Sequence, residues 1–398
     1  MPGLLVPGLG LVLLLAASRP VEAQPGPINA YVQTVPLWSD TTALVGSSTD
    51  NDLKSFNRFR LTIDQPVGPV SIGAAYELVA TFHRGSVVSG IGIGAVPSGG
   101  EALDLEWTIA DEDHLLWQHR FDRLQIGWSP VVGMEFTGGR QAISWGTTLF
   151  LTPADPFVPF SPADPFREFR AGVDAARVRI YPGPLSEIDF VVRPTDTVVG
   201  RELTALGRGL TTWHSWELSG WGGTLYGDAT GAFGAAGSLG PWAVRGEAVV
   251  REQEDGAAFR GAVGVDRLIQ VNERDLYVII EYQHDGLGAA SVDEYSGVLQ
   301  SKPFNRGELQ VLGRDETVVQ ASYQLQPLWS LAGVWIWNLN DGSTLFSPSV
   351  AYSLTDNASI TGGVFLGIGD DEVTAIRLVP SEYGLAGTTA FVSLGWFF

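Results

Sequence analysis

The chain closes on TTAFVSLGWFF, residues 388–398, in which Ala390, Val392, Leu394, Trp396 and Phe398 take alternate positions. In an extended strand those five side chains share one face. The same period recurs upstream. Phe259, Val263 and Val265 alternate with Arg260 and Asp266, and Leu276, Val278, Ile280 and Tyr282 alternate with Tyr277, Ile279, Glu281 and Gln283. Ile188, Phe190 and Val192 alternate with Glu187, Asp189 and Arg193, while Trp242, Val244, Ala248 and Val250 alternate with Arg245, Glu247 and Arg251. Segments of roughly 10 residues with one apolar and one polar face suit strands that meet lipid on one side and water on the other. A soluble sandwich also has half-buried strands, so alternation alone does not decide the fold.

The connections decide it. Short turns, mostly with proline, fall at 65–69, 129–130, 181–184, 239–241, 326–327 and 355–357. Longer polar connections fall between them, at 83–114, 144–170, 195–223, 284–316 and 369–388, with brief exceptions at 253–256 and 340–342. Short turns on one rim and long loops on the other belong to an all-β, transmembrane antiparallel barrel. A sandwich has no reason to sort them so. The segments between these connections number fifteen; adding residues 28–37 gives the even count that bacterial barrels close with, sixteen.

Composition agrees. Of 398 residues only 17% are charged while 49 are glycine, which suits glycine-punctuated strands better than packed helices. The apolar run at residues 4–17 is short, broken by Pro7 and followed by the small-residue pattern Val21-Glu22-Ala23. It predicts a signal peptide over 1–23, with a single barrel domain over 24–398. The absence of cysteine excludes disulfides and thiolate chemistry, and a net charge of −20 weighs against nucleic acid. Trp128, Trp145, Trp221, Trp242, Trp329, Trp337 and Trp396 lie near strand ends, where a lipid interface favours an amphipathic ring.

The aromatic end at Trp396 and Phe398 resembles the terminal strand of bacterial outer-membrane proteins. That resemblance implies recognition by the barrel-insertion machinery and insertion among outer-membrane lipids. It also places the short turns on the periplasmic side. Residues 144–170 then form the third external loop. This loop repeats itself, as PADPF at 153–157 and again at 162–166. In its number of strands and the place of this loop, the chain resembles general-diffusion porins, where that loop folds inward and narrows the channel. A homotrimer is among the assemblies the resemblance allows.

Prolines stiffen the loop. Phe157 and Phe166 give it an apolar side, and Asp155, Asp164 and Glu168 give it negative charge. The inward wall positions predict an opposing row of cations: Arg58, Arg60, Arg123, Arg140, Arg177, Arg179, Arg193, Arg245 and Arg260. Loop acids facing wall arginines would set a field across a narrow pore. As ordinary lumen residues, the same side chains would simply brace the wall by ion pairs. Small inward residues such as Gly231, Gly234, Gly264, Ser322 and Ser353 favour an open lumen.

The pattern Gly139-Arg140-Gln141, Trp145-Gly146, Pro153 and Asp155 resembles one in alginate-export-type barrels and other porin-like families. Strict alternation turns Arg140 toward lipid, so a bulge at Gly138-Gly139 is expected to reset its facing. The five histidines are scattered, so no catalytic set, metal site or cofactor is expected, and the chain does not read as an enzyme. The function read from sequence is a porin-type channel passing small hydrophilic solutes or ions. Alternatives are a substrate-specific uptake or export channel, or a non-conducting adhesion barrel.

Overall fold

The computed structural model describes residues 28–40, 52–84, 100–157, 166, 169–253, 256–374 and 377–398. The expected signal peptide over 1–23 lies outside these residues. The strands are β1 (Ile28–Asp40), β2 (Asp52–Val67), β3 (Val70–Arg84), β4 (Glu106–Glu112), β5 (Leu115–Val131), β6 (Met134–Gln141), β7 (Val173–Gly183), β8 (Ser186–Thr197), β9 (Gly200–Trp213), β10 (Trp216–Leu225), β11 (Asp228–Leu239), β12 (Trp242–Gln253), β13 (Gly256–Val271), β14 (Arg274–Asp285), β15 (Asp315–Gln326), β16 (Trp329–Asn338), β17 (Thr344–Thr355), β18 (Ala358–Ile368) and β19 (Thr388–Phe397). All pair antiparallel in one sheet. The sheet closes on itself because β1 pairs with β2 on one edge and with β19 on the other, Tyr31 lying opposite Phe397. No helix among the described residues is long and apolar enough to cross a membrane.

Eighteen strands run round the wall and β4 is an extra piece, which corrects the expected sixteen. One edge of β5 pairs along its length with β3. The other edge is shared, β6 taking Leu124 to Val131 and β4 taking Leu115 to Arg120. β6 stops at Gln141, where the chain leaves the wall. The stretch so vacated beside β5 is filled by β4.

The remaining miscount lies at 195–223, read as a long loop but formed by the end of β8, all of β9 and most of β10. Alternation fails there for a physical reason. The outward face of β9 carries Gly207 and Gly209, opposite Phe190 and Ile188 of β8, while Leu206 faces in and is buried. A Cβ at Gly207 would sit 3.1 Å from the Phe190 ring, so the glycine leaves that ring its place.

One rim is wholly made of two-residue turns, at 68–69, 132–133, 184–185, 214–215, 240–241, 272–273, 327–328 and 356–357. Two of them hold left-handed pairs, His214 and Ser215 at φ 47° and 69°, Asn272 and Glu273 at 53° and 62°. Such turns match the twist of hairpin strands. The opposite rim carries the long connections, together with two-residue turns at 198–199 and 226–227.

Facing follows the period of two. On β8, Phe190 is 51% exposed on the outer surface and Asp189 is fully buried within. Gly231 pairs with Val250 on the outer face, so it does not line the lumen as expected. Trp145 and Trp221 are buried inside the barrel, not placed at an outer belt.

Candidate functional site

Where β6 ends, the chain turns into the barrel, and it is back in the wall at Val173. Its first arm is held by carboxylates of the wall. Glu281 of β14 accepts three consecutive backbone N–H groups, Leu149 at 2.6 Å, Phe150 at 2.8 Å and Leu151 at 2.9 Å. Glu247 of β12 accepts those of Thr147 at 2.5 Å, Thr148 at 3.2 Å and Ala154 at 2.8 Å. Hydrogen bonds to a charged acceptor are roughly twice as strong as neutral ones. Gly234 admits the chain, since a Cβ there would lie 2.1 Å from Thr147 Oγ1.

The apolar side of this arm packs on the same wall. Trp145 and Phe157 meet edge to face at 5.0 Å beside Trp221, whose Nε1 donates to the Ala154 carbonyl at 3.0 Å. Trp145 Nε1 donates to Asp189 of β8 at 3.0 Å. The far end of the loop reaches the opposite wall. Phe166 packs among Phe365 of β18 and Phe391 of β19, at 6.0 Å and 4.9 Å, and its carbonyl accepts from Arg58 of β2 at 3.1 Å.

Asp155 is ion-paired within its own loop and not to the wall arginines expected for it. It accepts from Ser144 at 2.9 Å and from Phe157 N at 3.1 Å, and pairs with Arg170 at 2.6 Å, all within its own loop. Burial pushes its carboxyl above the usual range, with Arg170 opposing. Asp164 and Glu168 lie outside the described residues.

Most arginines of the wall are paired with acids of neighbouring strands, and several also reach loop groups. Arg60 binds Glu77 at 2.5 Å and Asp122 at 2.7 Å and lies 4.3 Å over the Phe169 ring. Arg123 pairs with Asp122 at 2.8 Å, Arg177 with Asp189 at 2.6 Å, Arg179 with Glu135 at 2.8 Å, and Arg245 with Asp266. Arg260 forks onto Asp285 at 2.9 and 2.7 Å and donates to the Glu308 carbonyl at 3.1 Å. Arg193 donates to the Tyr226 hydroxyl at 3.4 Å. Sequence reasoning gave no site role to Arg120, which binds Glu77 at 2.7 Å, or to Arg251, which binds Asp228 and Glu308 at 2.6 and 2.5 Å. It also named Glu247 and Glu281 only as polar positions of strands, because a carboxylate whose partners are backbone N–H groups has no matching cation to signal it.

Arg140 corrects the expected bulge. Pairing runs through Gly138 and Gly139 without a register shift, and Arg140 stays opposite Leu124, on the outward parity. What covers it is protein: it forks onto Asp174 at 2.8 and 2.9 Å and donates to carbonyls of Phe121 and Leu103 at 3.2 and 2.6 Å. It therefore seals the seam between the segment leading into β4 and the ends of β6 and β7. Gly139, at φ 112°, keeps this spot tight, since a Cβ there would meet the Leu124 carbonyl at 2.2 Å.

No protein-family model matches this sequence. No curated protein matches it either. Solved structures are similar in fold. The BenF-like porin of Pseudomonas fluorescens Pf-5 aligns with a TM-score of 0.55 at 9% identity, over 94% of this chain and 98% of its own. OccAB1 of Acinetobacter baumannii aligns at 0.54 and 10% identity, over 93% and 96%. OpdK of Pseudomonas aeruginosa, solved with vanillate, aligns at 0.51 and 9%, over 93% and 98%. The fold shared with them is a closed antiparallel β-barrel.

Proposed function

We propose that this chain is an outer-membrane channel of porin type, exported by residues 1–23, whose loop 142–172 forms the constriction for small hydrophilic solutes. The observation that carries the reading is the loop itself, bound to β12 and β14 on one side and to β2, β18 and β19 on the other. A segment fixed at both ends across a barrel narrows whatever passes. On the lumen wall, the partly exposed side chains of Arg120, Arg179 and Glu135 offer charges of both signs to a polar solute. Vanillate on OpdK is an aromatic carboxylate, and arginines on the lumen wall here are the groups that would receive such an anion.

The test is single-channel conductance of the purified barrel in planar bilayers, beside a variant lacking residues 161–166. Discrete openings that widen in the deletion are the expected result. No conductance from either form would overturn the channel reading.

A further inference from the structure

Three carboxyl groups meet at the long-loop rim. Glu316, at the start of β15, is fully buried; Glu382, from loop 369–387, is 6% exposed; Asp341 lies in the connection 339–343. None of the three is ion-paired to an arginine or lysine among the described residues. Glu382 does the tying: its Oε1 accepts from Leu312 N at 2.7 Å, and its Oε2 from Gly313 N at 2.9 Å and Asn338 Nδ2 at 2.7 Å. Loop 369–387 is thereby fastened to loop 286–314 and to the end of β16.

Glu316 Oε2 accepts from the Tyr383 hydroxyl at 3.3 Å, but its Oε1 is buried and has no hydrogen-bond partner. That oxygen lies 2.6 Å from where a Cβ on Gly313 would stand, beside the N–H that Glu382 binds. The two carboxyl groups converge on the same place: Glu382 Oε2 is bound to Gly313 N and Asn338 Nδ2, Glu316 Oε1 also closes on Gly313, and Tyr383, next to Glu382 in the chain, donates to Glu316. In a buried site two such groups cannot both ionise, and one proton between them satisfies the orphaned oxygen. No group of three acidic, histidine or cysteine side chains among the described residues is arranged to hold a metal ion instead.

We propose that one proton shared by Glu316 and Glu382 latches loop 369–387 onto loop 286–314, and that its loss as pH rises opens the latch. Asp341 adds to the repulsion from the third side, holding Glu382 N at 2.8 Å and the Tyr295 hydroxyl at 2.6 Å. Tyr295 and Tyr383 face the pair as neutral donors, burial raising both phenols well above their usual range. The nearby basic side chains are engaged elsewhere, Arg314 with Glu294 at 3.7 Å and the His284 ring with Asp315 at 2.9 Å. A second tie between the loops, Arg377 to Asp293 at 3.1 Å, is largely exposed and weak.

The sign follows from proton counting. Burial raises the Glu382 carboxyl above its ordinary range, so the closed form holds a proton that the open form releases. Closure is favoured at low pH, and each pH unit above the usual carboxylate range lowers the closed-to-open ratio by about tenfold until the pair ionises. Because Tyr383 and Ala386 pack with Val311, Leu151 and Phe166, release reaches the inward loop, a consequence that rests on the channel reading.

Hydrogen exchange of the segments around Leu312 and Glu382, corrected for intrinsic rates, tests the latch. Protection in the wild type is expected to fall by about tenfold or more between about pH 6 and about pH 9. Glu316→Gln, whose amide donates at any pH, is expected to keep its protection throughout. A flat wild-type profile, or an alkaline loss unchanged in Glu316→Gln, would overturn the proposal. The wild-type profile alone suffices for that, so a variant that fails to insert leaves the test intact. Conductance recorded over the same range reports on the channel separately, since exchange needs no current.

Discussion

The two ends of the inward loop are fastened by different means. On the β12–β14 side, two carboxylates gather six backbone N–H groups. On the β18–β19 side, Phe166 packs against Phe365 and Phe391, with Arg58 of β2 donating to its carbonyl, so ring packing supplies most of the hold. Directional bonds to a fixed carboxylate set the register of the chain to within a residue, whereas ring packing tolerates sliding and mainly excludes water. The first end defines where the loop runs and the second keeps it from lifting.

If that contrast holds, the carboxylate end is the more sensitive to substitution. Glu281→Ala leaves three N–H groups inside the barrel without an acceptor, which costs roughly 3–5 kcal/mol of docking energy. The expected result is protease cleavage within 147–157 of the inserted barrel and a wider conductance; unchanged cleavage would remove the distinction between the two ends. Phe166→Ala opens a cavity at the other end and is expected to cost roughly 2–4 kcal/mol, read as noisier openings with the 147–157 arm still protected. Cleavage at 147–157 in that variant would show that both ends work as one. The smallest effect is expected from Gly234→Ala, whose new methyl displaces Thr147 and costs roughly 1–3 kcal/mol, seen as a modest fall in thermal stability of the docked arm.

Much of the wall could be read directly. β14 and β12 alternate cleanly because their outward residues are bulky and their inward ones polar, and the structure places those faces as read. β9 hides because Gly207 and Gly209 present no side chain to the outside, so the period vanishes although the strand remains. The arginines have partners other than the loop acids expected for them. Sequence pairs opposite charges across a presumed gap, whereas Arg177 and Arg60 find their acids on adjacent strands, Asp189 and Glu77. Arg140 shows the limit most clearly. Parity put it outside correctly, and only the three-dimensional course of the segment around Leu103 explains why a charge can rest there.

That same segment bears on how the barrel is put together. β3 pairs with β5 and skips β4, so the chain cannot be laid into the wall one neighbour after the next. β4 and β5 are joined by a tight turn at 113–114 as a hairpin, and β4 occupies the upper part of an edge that β6 shares from below. The length of β6 is thereby capped, because β4 holds the edge of β5 from Leu115 to Arg120. A longer sixth strand would have nowhere to zip, and the chain beyond Gln141 is left with one direction to go, toward the axis.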